Sequence, residues 1–132
     1  MNAFFGPDLP GYGSWQSGRS DWGGSSYRQW LKLGEVLRPS QTFVILDENP
    51  DSINDGSFVN HPDSPSSWVD IPAAHHNGGC SLSFADGRAE VHKWLSNATK
   101  LPVQFSYDNR PAFDALGRQD YDWLMSRAFV LY

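Results

Sequence analysis

The chain of 132 residues has a single cysteine, Cys80, so no disulfide can form within it and cysteine usage says nothing about compartment. No apolar run approaches the ~20 residues of a membrane-spanning helix. The longest strong run is Phe43-Val44-Ile45-Leu46. Basic residues are few, 10 Lys and Arg against 15 Asp and Glu, and they do not cluster. The formal net charge of −5 makes nucleic acid and anionic membrane surfaces poor partners. The opening residues Met1-Asn2-Ala3-Phe4-Phe5-Gly6-Pro7 lack the basic and long apolar stretches of a signal peptide, so no export signal is read in them. The chain also lacks a Gly-x-Ser-x-Gly elbow, a phosphate-cradling glycine loop and a His-Glu-x-x-His pair, which removes the best-marked enzyme classes. Asp120 and Asp122, two apart, would flank opposite sides of a helix and cannot work as a carboxylate pair, and a non-enzymatic role is expected.

What the chain has in quantity is glycine (12), proline (9) and tryptophan (6). That mixture predicts one domain of many turns pinned by large aromatics, not a helical bundle. Residues 1–24 show no periodicity and read as an ordered loop held by aromatics or as a loose arm. Tyr27, Trp30, Leu31, Gly34 and Leu37 fall at helical spacing ahead of Pro39, predicting a short helix over about 26–37. Residues 41–46 read as a buried strand, and 57–60 as the start of a partner strand. Residues 68–72 look like a short extended segment. Residues 96–118 look irregular. Tyr121, Leu124, Met125 and Ala128 share one helical face, with Asp120 as candidate cap. Residues 129–132 fit a terminal strand equally well.

The most specific stretch runs from Ala74 to Trp94 and contains His76, nine further residues, and then Asp86-Gly87. Asp-Gly favours a two-residue hairpin turn with both central positions at positive φ. Centred there, the register sets Phe84 against Ala89, Leu82 against Val91, Cys80 against Lys93 and Gly79 against Trp94. One face then carries Cys80, Leu82, Phe84, Ala89 and Val91, and the other Ser81, Ser83, Arg88, Glu90 and His92. This arrangement sends Cys80 and His92 to opposite faces and argues against a shared zinc site. His76 enters the hairpin and is expected to bond a backbone carbonyl or a carboxylate such as Asp86. Asp86 itself reads as a turn residue.

The loop after the first strand is rich in hard oxygen donors: Asp47, Glu48, Asn49, Asp51, Asn54 and Asp55. Asp47, Asp51, Asn54 and Asp55, with a backbone carbonyl, are the candidate ligands for Ca²⁺. The loop is not an EF-hand, because counting from Asp47 the sixth position is Ser52 and the twelfth is Phe58. The alternative is an Asx-rich turn whose side chains bond their own backbone.

Taken in order, 38–44, 46–56, 68–72, the His76 to Asp86-Gly87 stretch, Trp94 and 122–124 resemble the C-terminal head of prepilin-type, pseudopilin-like proteins related to the major pseudopilin of type II secretion systems. The resemblance covers roughly residues 38–127, within a single domain of 1–132. Its structural motif is His76, Asp86, Gly87 and Trp94. It implies an α+β pilin-like head, an antiparallel sheet with short helices, packed in the family on a long N-terminal transmembrane helix. That helix and its processing site are absent from this chain. The resemblance further implies a non-catalytic structural protein of a type II secretion or type IV pilus-like system. Its place would be the cell envelope, on the periplasmic or extracellular face, and its partners other pseudopilin subunits or secretion-system proteins. A head calcium site also belongs to the resemblance. Without the helix, the sheet is expected to be covered by the chain's own Trp-rich N-terminal segment or by self-association. The alternative from another class is an extracellular carbohydrate-binding module that stacks sugars on exposed aromatics such as Trp22, Trp30 or Trp123.

Overall fold

The computed structural model describes residues 1–5, 19–22, 25–61 and 65–131. It is an α+β arrangement. Strands β1 (Arg19–Trp22) and β2 (Ser25–Arg28) form a two-stranded antiparallel ribbon. Strands β3 (Phe43–Leu46), β4 (Gly79–Phe84) and β5 (Ala89–Lys93) form an antiparallel sheet in the order β3-β4-β5. A single α-helix among the described residues, α1 (Ala115–Met125), meets the sheet through Trp123, which stacks on His92 of β5. No helix among the described residues is long and apolar enough to cross a membrane.

The helix expected over 26–37 does not form. Tyr27 belongs to β2, and a 3-10 turn covers only Leu33–Glu35. Tyr27 and Trp30 are buried, but Leu31, Leu33 and Leu37 are exposed, so the helical spacing never becomes a buried stripe. The ribbon's signal was the Gly23-Gly24 pair between two short polar and aromatic runs. Of the arm expected over 1–24, residues 6–18 and 23–24 lie outside the described part. Residues 2–4 are buried in the core. The Asn2 amide donates to the Phe43 and Ala128 carbonyls, both at 2.8 Å, and the Asn2 N–H reaches the Val44 carbonyl at 2.8 Å. Phe4 then meets Tyr27 and Phe129 edge-on or tilted, with ring centroids at 5.8 and 5.5 Å. The outer edge of β3 is thus occupied.

The hairpin forms, but one residue out of the expected register. Gly79 pairs with Lys93, Cys80 with His92, Leu82 with Glu90 and Ser83 with Ala89. The turn is a three-residue loop. Phe84 N–H bonds the Arg88 carbonyl at 2.8 Å, and Gly87 N–H returns to the Phe84 carbonyl at 2.9 Å. Only Gly87 takes positive φ (89°), and Asp86 avoids it, its carboxylate accepting the Arg88 N–H at 3.0 Å. The inner face gains from the slip. Arg88 lies over the Phe84 ring at 3.9 Å, and His92 stacks on Trp123 with centroids 3.4 Å apart. Cys80 and His92 therefore share a face, contrary to the expectation. Ala89 and Val91 turn outward with Ser81 and Ser83.

Helix α1 starts five residues before Asp120. Its cap is Asp114, whose Oδ1 accepts the Gly117 N–H at 2.6 Å and the Ser96 hydroxyl at 2.7 Å. Asp120 is not a cap; it is buried within the helix and accepts the N–H groups of Leu95 and Ser96 at 2.9 and 3.0 Å. Tyr121, Leu124 and Met125 bury one face of the helix, and Ala128 is buried just past its end. Trp68 is 1% exposed and sits between Tyr121, Phe113 and Trp94, at 5.0, 5.4 and 6.4 Å. The chain's end touches β2 through a bridge between Tyr27 and Leu131. The segments around Phe58 and Pro72 make single bridges, to Asn2 and Glu48, and no full strands.

Candidate functional site

The motif residues frame the hairpin. At its entry, His76 Nε2 meets Asp47 Oδ2 at 3.0 Å, so the carboxylate partner is Asp47 and not Asp86. The same Asp47 oxygen accepts the Ser81 N–H at 3.3 Å. At the tip, Asp86 and Gly87 close the loop. At the exit, Trp94 is buried, its Nε1–H donating to the Ala73 carbonyl at 2.8 Å and its N–H to the Gly78 carbonyl at 2.9 Å. Lys93 Nζ ties back onto the carbonyls of His76 and Asn77. Cys80 is buried on the inner face, and that burial pushes its thiol up to about 12, so it stays protonated at neutral pH.

Beside His76 lies the acidic loop, whose candidate ligands have separate tasks. Asp47 serves His76 and Ser81. Asp51 is buried, with Oδ2 accepting the Gln104 N–H at 2.8 Å and Oδ1 buried without a hydrogen-bond partner. Asn54 and Asp55 are exposed, and Asp55 Oδ1 accepts the Ser57 N–H. Asn49 is fully buried: its amide donates to the Leu101 carbonyl at 3.1 Å and its Oδ1 accepts the Asp51 N–H at 3.0 Å. This is the Asx-turn behaviour weighed against calcium. Among the described residues, no three His, Cys, Asp or Glu side chains gather as a metal-holding group.

Two carboxyls outside the candidate ligand set, Glu48 and Asp70, are strongly displaced from their ordinary values. Glu48 is pushed up to about 7, chiefly by burial, with Asp70 and Asp55 adding to the push and the Ser52 hydroxyl opposing it. Ser52 Oγ donates to Glu48 Oε1 at 2.8 Å while accepting the Ile71 N–H at 2.9 Å. Asp70 is pushed up to about 6, again chiefly by burial, against the Val59 N–H that it accepts and the Arg110 charge. The chain folds residues 47–55 onto 68–72, and that long-range packing buries both groups. Only the bare presence of Glu48 and Asp70 was visible in sequence.

Among the described residues the tryptophans form no open platform, although Phe105 and Tyr107 are exposed. Trp30, Trp68 and Trp94 are 2%, 1% and 4% exposed. Trp123 has His92 stacked on its ring and the Arg127 guanidinium 4.0 Å from its centroid. The side chain of Trp22 lies outside the described part. Comparison with protein-family models, with curated proteins and with solved structures gave no match.

Proposed function

We propose that this chain is a non-catalytic, pseudopilin-like head that acts through protein contacts in the cell envelope, on its periplasmic or extracellular face. The observation that carries the reading is the hairpin frame. His76, the Asp86-Gly87 turn and Trp94 are used in turn to hold the entry, tip and exit of the hairpin that supplies two of the sheet's three strands. Residues so committed are scaffold, and they suit a domain that presents surface to other subunits. The ordered sequence resemblance over 38–127 is what suggests its class. Partners would be other pseudopilin subunits or secretion-system proteins.

Calcium belongs to this reading through Asp51. Its buried Oδ1, without a hydrogen-bond partner, would serve a hard cation, with Asn54, Asp55 or backbone carbonyls completing the shell. Asp47 uses only its Oδ2 for His76 and Ser81, which leaves Oδ1 as a further candidate.

The test is cross-linking of the chain in its native cell envelope, with adducts identified by mass spectrometry, alongside a glycan array. Adducts to pilin-like or secretion-machinery subunits are expected. Tight, specific sugar binding abolished by Trp123→Ala, with no such adducts, would replace the proposal with a carbohydrate-binding module.

A further inference from the structure

The two edges of the three-stranded sheet differ. The β3 edge is occupied by Asn2 and by Arg127, whose carbonyl accepts the Phe43 N–H at 3.0 Å. The β5 edge has no neighbour among the described residues. Which backbone groups it leaves open follows from the register. Arg88 bonds Phe84 and Trp94 bonds Gly78, and the pairing between them is continuous, so residues 88, 90, 92 and 94 carry the ladder to β4. The N–H and C=O groups of Ala89, Val91 and Lys93 point the other way, out of the sheet. None has a partner among the described residues.

Sheets usually guard such an edge with proline, a bulge, or charges left free to repel a neighbour. β5 has no proline and no bulge. Its charges are committed within the chain. Lys93 Nζ is tied to the carbonyls of His76 and Asn77, and Arg88 is paired with Glu90. Val91 at the strand's centre is 51% exposed.

We propose that the β5 edge docks a second copy of this chain, the two β5 strands pairing antiparallel about Val91 to join both sheets into one. The residues themselves select this register. Centred on Val91, Ala89 faces Lys93 and Val91 faces Val91, giving about six backbone hydrogen bonds from groups now open. The narrow pairs between them set Glu90 of each copy against His92 of the other, so no two like residues other than Val91 meet. Sliding by one pair in either direction leaves only about four such bonds, because the Gly87 and Leu95 N–H groups are already held by the Phe84 carbonyl and the Asp120 carboxylate, and one of the two slides also sets Glu90 against Glu90. The exposed Val91 side chains meet on the outer face. This inference stands on the edge geometry and does not depend on the pseudopilin reading.

Sedimentation of the intact chain from low micromolar to millimolar concentration tests it. A dimer that grows with concentration is expected, with amide exchange at Ala89, Val91 and Lys93 slowing as it forms. Val91→Pro removes one outward N–H and leaves the ladder to β4 intact. Val91→Lys places like charges opposite each other and covers the case in which the proline variant fails to fold. Each should weaken the dimer about tenfold or more while circular dichroism stays unchanged. Ile45→Lys, on the outer face but off the edge, should leave dimerisation as it is. The proposal is overturned by a chain that stays monomeric into the millimolar range. It is equally overturned by a dimer that survives both Val91 variants, or by one that Ile45→Lys abolishes and the Val91 variants do not.

Discussion

Replacing Glu48 with Gln removes a carboxylate that folding draws partly out of water but keeps an oxygen to accept the Ser52 hydroxyl. In the folded chain Glu48 holds its proton up to about 7, against an ordinary value of 4.5. Between those values the folded state binds more protons than the unfolded state, so stability falls as pH rises and levels off above about 7. The whole displacement corresponds to about 3 kcal/mol. Glu48 keeps part of its surface in solvent, and screening reduces the effect to on the order of 1–2 kcal/mol. Glu48→Gln should therefore be more stable than the parent by that amount near about pH 8, and the advantage should vanish below about pH 4.5. Other groups shape the absolute curve. Asp70, held up to about 6 from 3.8, works in the same direction. His92, held below its ordinary range chiefly by burial, makes stability rise with pH up to about 6.5. Only the difference between variant and parent isolates Glu48. Urea denaturation followed by tryptophan fluorescence at a series of pH values supplies it. Parallel curves for the two proteins, or a variant less stable at alkaline pH, would refute the reasoning.

Gly87→Val should cost about 1–2 kcal/mol by thermal melting, because a β-branched residue resists the φ of 89° even though an added Cβ would meet no atom within 4 Å. Gly79→Ala should cost about 1–3 kcal/mol and perturb hairpin amide shifts, because its Cβ would come within 2.5 Å of the His92 carbonyl oxygen, a backbone atom that cannot swing away. Asp120→Ala should cost about 2–4 kcal/mol in denaturant unfolding, since it strips the charged acceptor from the Leu95 and Ser96 N–H groups. Millimolar calcium should raise the melting midpoint over chelator, and Asp51→Asn should remove the rise; an unchanged midpoint would reduce the loop to turn formers.

The sheet was legible because strand alternation and a strong turn pair both survive into the fold. Its register was not. Asp-Gly suits a two-residue loop with both residues at positive φ and also a three-residue loop with glycine alone there. The choice fell to side-chain contacts beyond the turn pair, the long-range stack of His92 on Trp123 and the local seat of Arg88 over Phe84. Tyr27 and Trp30 looked helical because their spacing of three fits a helix. Strand β2 ends at Arg28, so each is buried for its own reason, Tyr27 against Phe4 and Phe129, and Trp30 through its N–H to the Phe4 carbonyl. The end of the chain was legible as a helical face, but its start was misplaced because Asp120 and Asp114 are equally good caps on paper. Burial decided between them, leaving Asp114 exposed at the helix start and Asp120 inside. The acidic loop was visible as composition, while the division of its oxygens among His76, Gln104, Ser57 and Ser52 depends on segments up to 53 residues away.

The assignment to a pseudopilin-like head turns most directly on the coding DNA immediately 5′ of Met1. An in-frame segment encoding a prepilin-type processing site followed by about 20 apolar residues is expected. An in-frame stop codon just upstream, with no such segment joined to this chain, would contradict the assignment.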